Sequence, residues 1–184
     1  MAYRAVSKNV LGPRQGLLIA EIPIPSSALP PLYMAVGQLV VNWAIADSII
    51  VKIIAAIYQR AGGKHADRRI PVAFKRQRKF LRRCFRSIGG LAPFADEGNA
   101  VLDAMADLAF IRNAVVHGAV CGFEPNTDRY TFLKLDVVDG DTMHEANTVT
   151  TTLLDLRGAV VETQVLTKRT TALLHGIMQA FVRK

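Results

Sequence analysis

The sequence predicts a mainly α fold, a bundle of about four long helices with a β-hairpin inserted before the last helix. Three observations carry that prediction. Apolar residues recur at spacings of three and four over Leu32–Tyr58, after Pro71, over Ala100–Val116 and again over Leu153–Val182. Gly62-Gly63, Gly89-Gly90 and Pro93 stand at the breaks between these runs. Between the third and last runs the period drops to two: over Arg129–Val138, Thr131, Leu133, Leu135 and Val137 alternate with Tyr130, Phe132, Lys134 and Asp136. Asp139-Gly140 then supplies a tight turn into a Thr-rich return near His144–Thr151, which makes a hairpin at about 129–151.

The N-terminal segment 1–31 carries Pro13, Pro23, Pro25, Pro30 and Pro31 and should run as an extended arm. Leu17, Leu18, Ile19, Ile22 and Ile24 are too apolar for a free tail, so the arm is expected to dock on the bundle or on a second subunit. Residues 32–184 then form a single helical domain. With 184 residues and 51% hydrophobic content, the chain can bury a core and is too apolar to be disordered.

The first helix, at about 32–60, has a seam of Val36, Val40, Trp43, Ile50, Ile54 and Ile57, with Asp47 in it. A carboxylate there is costly unless paired, and Arg112 on the third helix is the natural partner. Such a pair would be either a structural salt bridge or a device that orients a functional arginine.

The second helix, at about 71–87, concentrates charge. Eleven basic residues against Asp67 alone between Arg60 and Arg86 more than account for the net charge of +8 and leave the remainder slightly acidic. On a helix, Lys75, Arg76, Arg78, Lys79, Arg82, Arg83 and Arg86 fall within an arc of about 160°. Phe74, Phe80, Leu81, Cys84, Phe85 and Ile88 fill the opposite side. Seven like charges without interleaved glutamates point to a polyanion, with nucleic acid ahead of a solvated face or a membrane surface. No aromatic residue interleaves the ridge, so it should contact phosphates rather than read bases.

The third helix, at about 95–117, ends in Ile111-Arg112-Asn113-Ala114-Val115-Val116-His117, with Gly118 expected to stop it in the left-handed conformation. Val101, Met105, Leu108, Val115 and Val116 mark its apolar stripe, and Arg112 falls near the middle of that stripe. Asn113 and His117 share the neighbouring flank, and His117 faces the partial negative charge of the last carbonyls, a setting suited to proton transfer. The bland reading of the same residues is an ion pair plus a capping histidine.

The spacing Arg112-Asn113-x-x-x-His117 at a helix end, with Asp47 beside Trp43 in the first long helix, resembles the signature of the HEPN superfamily. The resemblance covers Leu32 to Gly118. It implies a dimeric helical bundle in which two copies of the motif face one cleft. It also implies metal-independent endoribonuclease activity in a toxin or antiviral defence role, often checked by an antitoxin protein, although other members only bind RNA, nucleotides or proteins. On that basis His117 would move the proton, Arg112 would clamp the phosphate and Asn113 would orient phosphate or ring, with Asp47 in support. A single chain offers one histidine in this constellation, so separate acid and base would require two copies, or water. The alternatives are a non-catalytic RNA- or nucleotide-binding protein and a purely structural or interaction bundle. The hairpin would serve as a wall of the site or as a structural flap.

His65, His144 and His175 stand in unrelated contexts and no grouping has metal-ligand spacing, so no metal or other cofactor is expected. Gly62-Gly63 lack a P-loop Lys-Ser/Thr or a dinucleotide fingerprint. Cys84 and Cys121 form no redox motif and no secretory signal is evident, which favours a cytoplasmic protein. Met34–Tyr58 approaches a membrane span in composition, but Gln38, Asn42, Asp47 and Lys52 interrupt it, so stable insertion is not expected.

Overall fold

The computed structural model describes residues 5–11, 24–138 and 143–182, so Leu17, Leu18, Ile19, Ile22 and the Asp139-Gly140 turn lie outside the described residues. The fold is a helical bundle with an antiparallel sheet. Its order is β1 (Ala5–Leu11), α1 (Leu29–Arg60), α2 (Phe74–Ser87), α3 (Ala95–His117), β2 (Ala119–Glu124), β3 (Arg129–Val138), β4 (Met143–Thr152) and α4 (Leu153–Val182). Backbone proximity groups the chain into two compact units, 1–40 with 108–161 and 41–107 with 162–184.

The first unit holds the sheet, in the order β1-β4-β3-β2. The expected hairpin is its centre, with Tyr130 opposite Thr151 and Phe132 opposite Val149. Two strands not expected from the sequence flank it: β2 pairs with β3, and β1, from the proline-rich arm, pairs with β4, both antiparallel. Tyr130, Phe132, Val149 and Thr151 are buried, while Thr131 and Leu133 are half-exposed, so the aromatic set is the inward face. The Tyr130 hydroxyl donates to the Ala28 carbonyl at 2.9 Å, fixing β3 to the start of α1.

Helix α1 begins three residues before the predicted start because Pro30 and Pro31 occupy its first turn, where a missing N–H costs nothing. Its buried side includes Leu32, Ala35, Leu39, Trp43, Ala46, Ile50, Ile53, Ile54 and Ile57. Val36 and Val40, predicted seam residues, are only half-buried, and Asp47 lies at the seam's margin, half-buried. A window of α1 has mean hydropathy 1.9, long and apolar enough to span a bilayer by length and composition.

At the end of α3 the expectation for Gly118 is corrected. Its φ is not positive; among the described residues Gly62 is the glycine in the left-handed region. What Gly118 avoids is crowding, since a Cβ there would stand 2.4 Å from the Ala114 carbonyl oxygen and 3.2 Å from Phe132 Cβ. The chain passes from α3 straight into β2, and the sheet leaves no room at that corner.

The second unit holds α2, which starts at Phe74 rather than near Pro71. Gln77, Phe80, Leu81, Cys84 and Phe85 are buried. Phe74 meets Trp43 edge-on at 5.6 Å. Gly98 lies so close to the Phe85 ring that an added Cβ would fall 2.4 Å from it.

Helix α4 opens with a reciprocal cap: Thr152 Oγ1 accepts from the Asp155 N–H at 3.1 Å, and Asp155 Oδ2 accepts from the Thr152 N–H at 3.3 Å. Further along, the Thr167, Thr170 and Thr171 hydroxyls donate to the carbonyls of Thr163, Leu166 and Thr167 at 2.9, 3.0 and 2.8 Å.

Candidate functional site

The last two turns of α3 hold the predicted constellation. Arg112 is half-buried, whereas Asn113 and His117, one turn apart, are exposed. Around Arg112 the helix buries Leu108, Ile111 and Val115. Val116, predicted on the same stripe, is 37% exposed instead. The apolar surround holds the arginine stem, and the head escapes to the surface in the manner of a long amphipathic side chain.

Arg112 Nη1 donates to Asn113 Oδ1 at 2.9 Å. Arg112 Nε is buried without a hydrogen-bond partner among the described residues. Nε is therefore withdrawn from solvent, and an anion would meet the guanidinium end-on, through its two terminal nitrogens. Asn113 keeps one of these in place. Its role is thus first to position the arginine, and its amide N–H groups remain for a ligand.

Asp47 belongs to the second unit and Arg112 to the first. The acceptor described for Arg112 is Asn113.

A separate basic surface, in the second unit, is the outer face of α2. Lys75, Arg76, Lys79, Arg83 and Arg86 are exposed, while Arg78 and Arg82 are half-buried. Sequence reasoning missed a counter-charge: Asp103 of α3 takes a charged hydrogen bond from Arg82 and lies 3.7 Å from an Arg78 nitrogen. Arg83 donates to the Ala66 carbonyl, and Arg86 Nε donates to the Arg82 carbonyl at 3.3 Å. The arginines are thereby anchored to neighbours. Lys75, Arg76 and Lys79 project from the first turns without a described acidic partner. Arg78 also lies 5.8 Å from the Phe74 ring centre. The missing signal was the lack of acids within α2 itself, which implied that a carboxylate had to come from another element.

No thiol is primed for nucleophilic work. Burial pushes the Cys84 thiol up to about 11 and also raises that of Cys121. His65 and His175 are exposed on other elements, away from the motif in sequence.

Chemically, the α3 terminus offers a hydrogen-bonding cation beside a solvent-accessible imidazole, and α2 offers a line of cations with no stacking surface. Comparisons of the chain with protein-family models, with curated proteins and with solved structures give no match.

Proposed function

We propose that this chain acts on RNA as a metal-independent endoribonuclease, with His117 and Arg112 at the scissile phosphate, Asn113 positioning Arg112, and the α2 ridge holding the phosphate backbone. The observation that carries the reading is the Arg112–Asn113 hydrogen bond at 2.9 Å, with exposed His117 one turn beyond Asn113. A toxin or defence setting, and an antitoxin partner, follow from the HEPN resemblance.

His117 accepts the proton of a ribose 2′-hydroxyl as that oxygen attacks phosphorus. The bond from phosphorus to the 5′-oxygen breaks, leaving a 2′,3′-cyclic phosphate on one fragment. The departing 5′-oxygen takes a proton from water or from His117 of a second copy. The terminal nitrogens of Arg112 offset the charge that gathers on the non-bridging oxygens.

The test is incubation of the purified chain with RNA in EDTA, with end-group analysis of the products. Cyclic-phosphate ends are expected, with a loss of about 10²–10⁴-fold in His117→Ala. Cleavage undiminished by that substitution overturns the assignment. A second reading, a non-catalytic RNA-binding protein, is favoured by the sealed Nε of Arg112, which restricts the guanidinium's approach to a phosphate. Salt-dependent RNA binding without cleavage would support it. A purely structural bundle predicts neither binding nor cleavage.

A further inference from the structure

We infer that the chain docks peripherally on an anionic lipid surface through the connector between α1 and α2. Ile70 and Val72 enter the headgroup boundary there, and Arg68, Arg69, Lys75 and Arg76 meet the lipid phosphates. Val72 is 88% exposed, more than any other large hydrophobic side chain among the described residues, and Ile70 is 46% exposed. Pro71 between them is buried. Ile70 precedes a proline, which biases its backbone to the extended form, and Ala73 is extended at φ −72° and ψ 134°. Side chains two apart in an extended chain point the same way. The two aliphatic groups therefore stand out together while the proline between them anchors the segment.

The connector is held from both ends. The Tyr58 hydroxyl donates to the Arg68 carbonyl at 2.8 Å, and Gln77 Nε2 donates to the Val72 carbonyl at 3.0 Å. Gln77 is itself buried, and Arg83 donates to the Ala66 carbonyl. All of these groups belong to the second unit. Apolar side chains displayed by a fixed segment lose little conformational freedom on binding. Pro71 has no N–H and the Val72 carbonyl is already bonded, which lowers the cost of entering a poorly hydrated layer.

The surrounding charge selects the occupant. Arg68 and Arg69 directly precede Ile70, Lys75 and Arg76 follow Val72 by three and four residues, and all four are exposed. Asp67 is the one acid between Arg60 and Arg86, and its Oδ1 accepts the Arg69 N–H at 3.2 Å. An RNA strand would satisfy the four cations but leave Ile70 and Val72 in water, since aliphatic side chains neither stack on bases nor bond phosphates. An anionic bilayer accommodates both sets: its phosphates lie at the surface, and apolar groups reach the acyl boundary just beneath.

Two aliphatic side chains are a weak anchor alone, and each cation near an anionic surface adds roughly fivefold in affinity. The docking is therefore reversible and weakened by salt. It goes beyond the ribonuclease reading and is measured without RNA.

The experiment is co-sedimentation of the full chain with vesicles, either of phosphatidylcholine alone or of equal parts phosphatidylcholine and phosphatidylserine. Binding to the mixed vesicles alone is expected, falling as salt rises. Ile70→Ser with Val72→Ser keeps every charge and should weaken binding by about tenfold or more. Arg68→Gln with Arg69→Gln should weaken it by roughly fivefold per cation. Circular dichroism shows that each of these exposed-site variants is folded. The native Trp43 is buried, so Val72→Trp adds an exposed reporter whose emission should shift to the blue on mixed vesicles. A wild type that stays in solution with mixed vesicles, equal binding to both vesicle types, a folded double-serine variant that binds as the wild type does, or an unshifted Val72→Trp emission overturns the inference.

Discussion

Asp103→Asn tests the cationic ridge directly. One carboxylate oxygen of Asp103 serves both Arg82 and Arg78, and the side chain is 62% exposed. Asparagine keeps the shape and removes the charge. Ion pairs at such exposure contribute roughly 0–1 kcal/mol, so the melting midpoint should move by a few degrees at most. The effect on polyanion binding is larger, because two guanidiniums are released from a competing anion. On single-stranded RNA each phosphate contact adds about 0.7 to the slope of log affinity against log salt. Two further contacts steepen the slope by up to about 1.4, and at about 0.1 M salt each contact corresponds to roughly fivefold in affinity. Fluorescence anisotropy with a labelled RNA across a salt series reads both quantities. Lys75→Gln with Lys79→Gln should move the slope the opposite way. A folded Asp103→Asn variant whose affinity and slope match the wild type would refute the reasoning, since the arginines would then not be facing phosphate.

Gly98→Ala should destabilise the chain by about 1–3 kcal/mol in urea titration, because the new methyl lands 2.4 Å from the packed Phe85 ring. Tyr130→Phe should cost about 1 kcal/mol, since the Ala28 carbonyl loses its donor while the buried ring stays. Arg169 donates to both oxygens of Glu97, at 2.7 and 3.0 Å, and these hydrogen bonds hold the Glu97 carboxyl below its ordinary pKa. A folded-state value below the unfolded one gives stability that is present above the ordinary carboxylate range and lost as pH falls through the folded value. Urea midpoints measured from about pH 6 to pH 3 should therefore fall less in Glu97→Gln than in the wild type, and parallel curves would contradict this.

What was legible in the sequence was local. Helix α2 could be drawn from its residues because Phe80, Leu81, Cys84 and Phe85 repeat within a single helix, and the same arithmetic put Asn113 and His117 on one flank. Partners from distant segments were not legible. Strand β2 is six residues long with a register shift between Val120 and Gly122, too short and irregular for a clean alternation. Strand β1 pairs with β4 across more than 130 residues of sequence, beyond any window that reads periodicity. Gly118 looked like a left-handed helix stop, yet its constraint is crowding, from the Ala114 carbonyl oxygen of its own helix and from Phe132, fourteen residues on. At the candidate site, Arg112 was placed correctly on its helix, but the choice of Asn113 as acceptor and the sealing of Nε depend on packing. Asp103 went unnoticed because its partners lie on another helix.

The threonines of α4 leave one more mark on the molecule. Each of the Thr167, Thr170 and Thr171 hydroxyls is satisfied by a carbonyl on the preceding turn of its own helix. Thr170, though fully enclosed, therefore makes no polar demand on whatever packs beside it. The residues facing this stretch are free to drift among aliphatic shapes without stranding a donor, so sequence change should accumulate there in size and branching rather than in polarity.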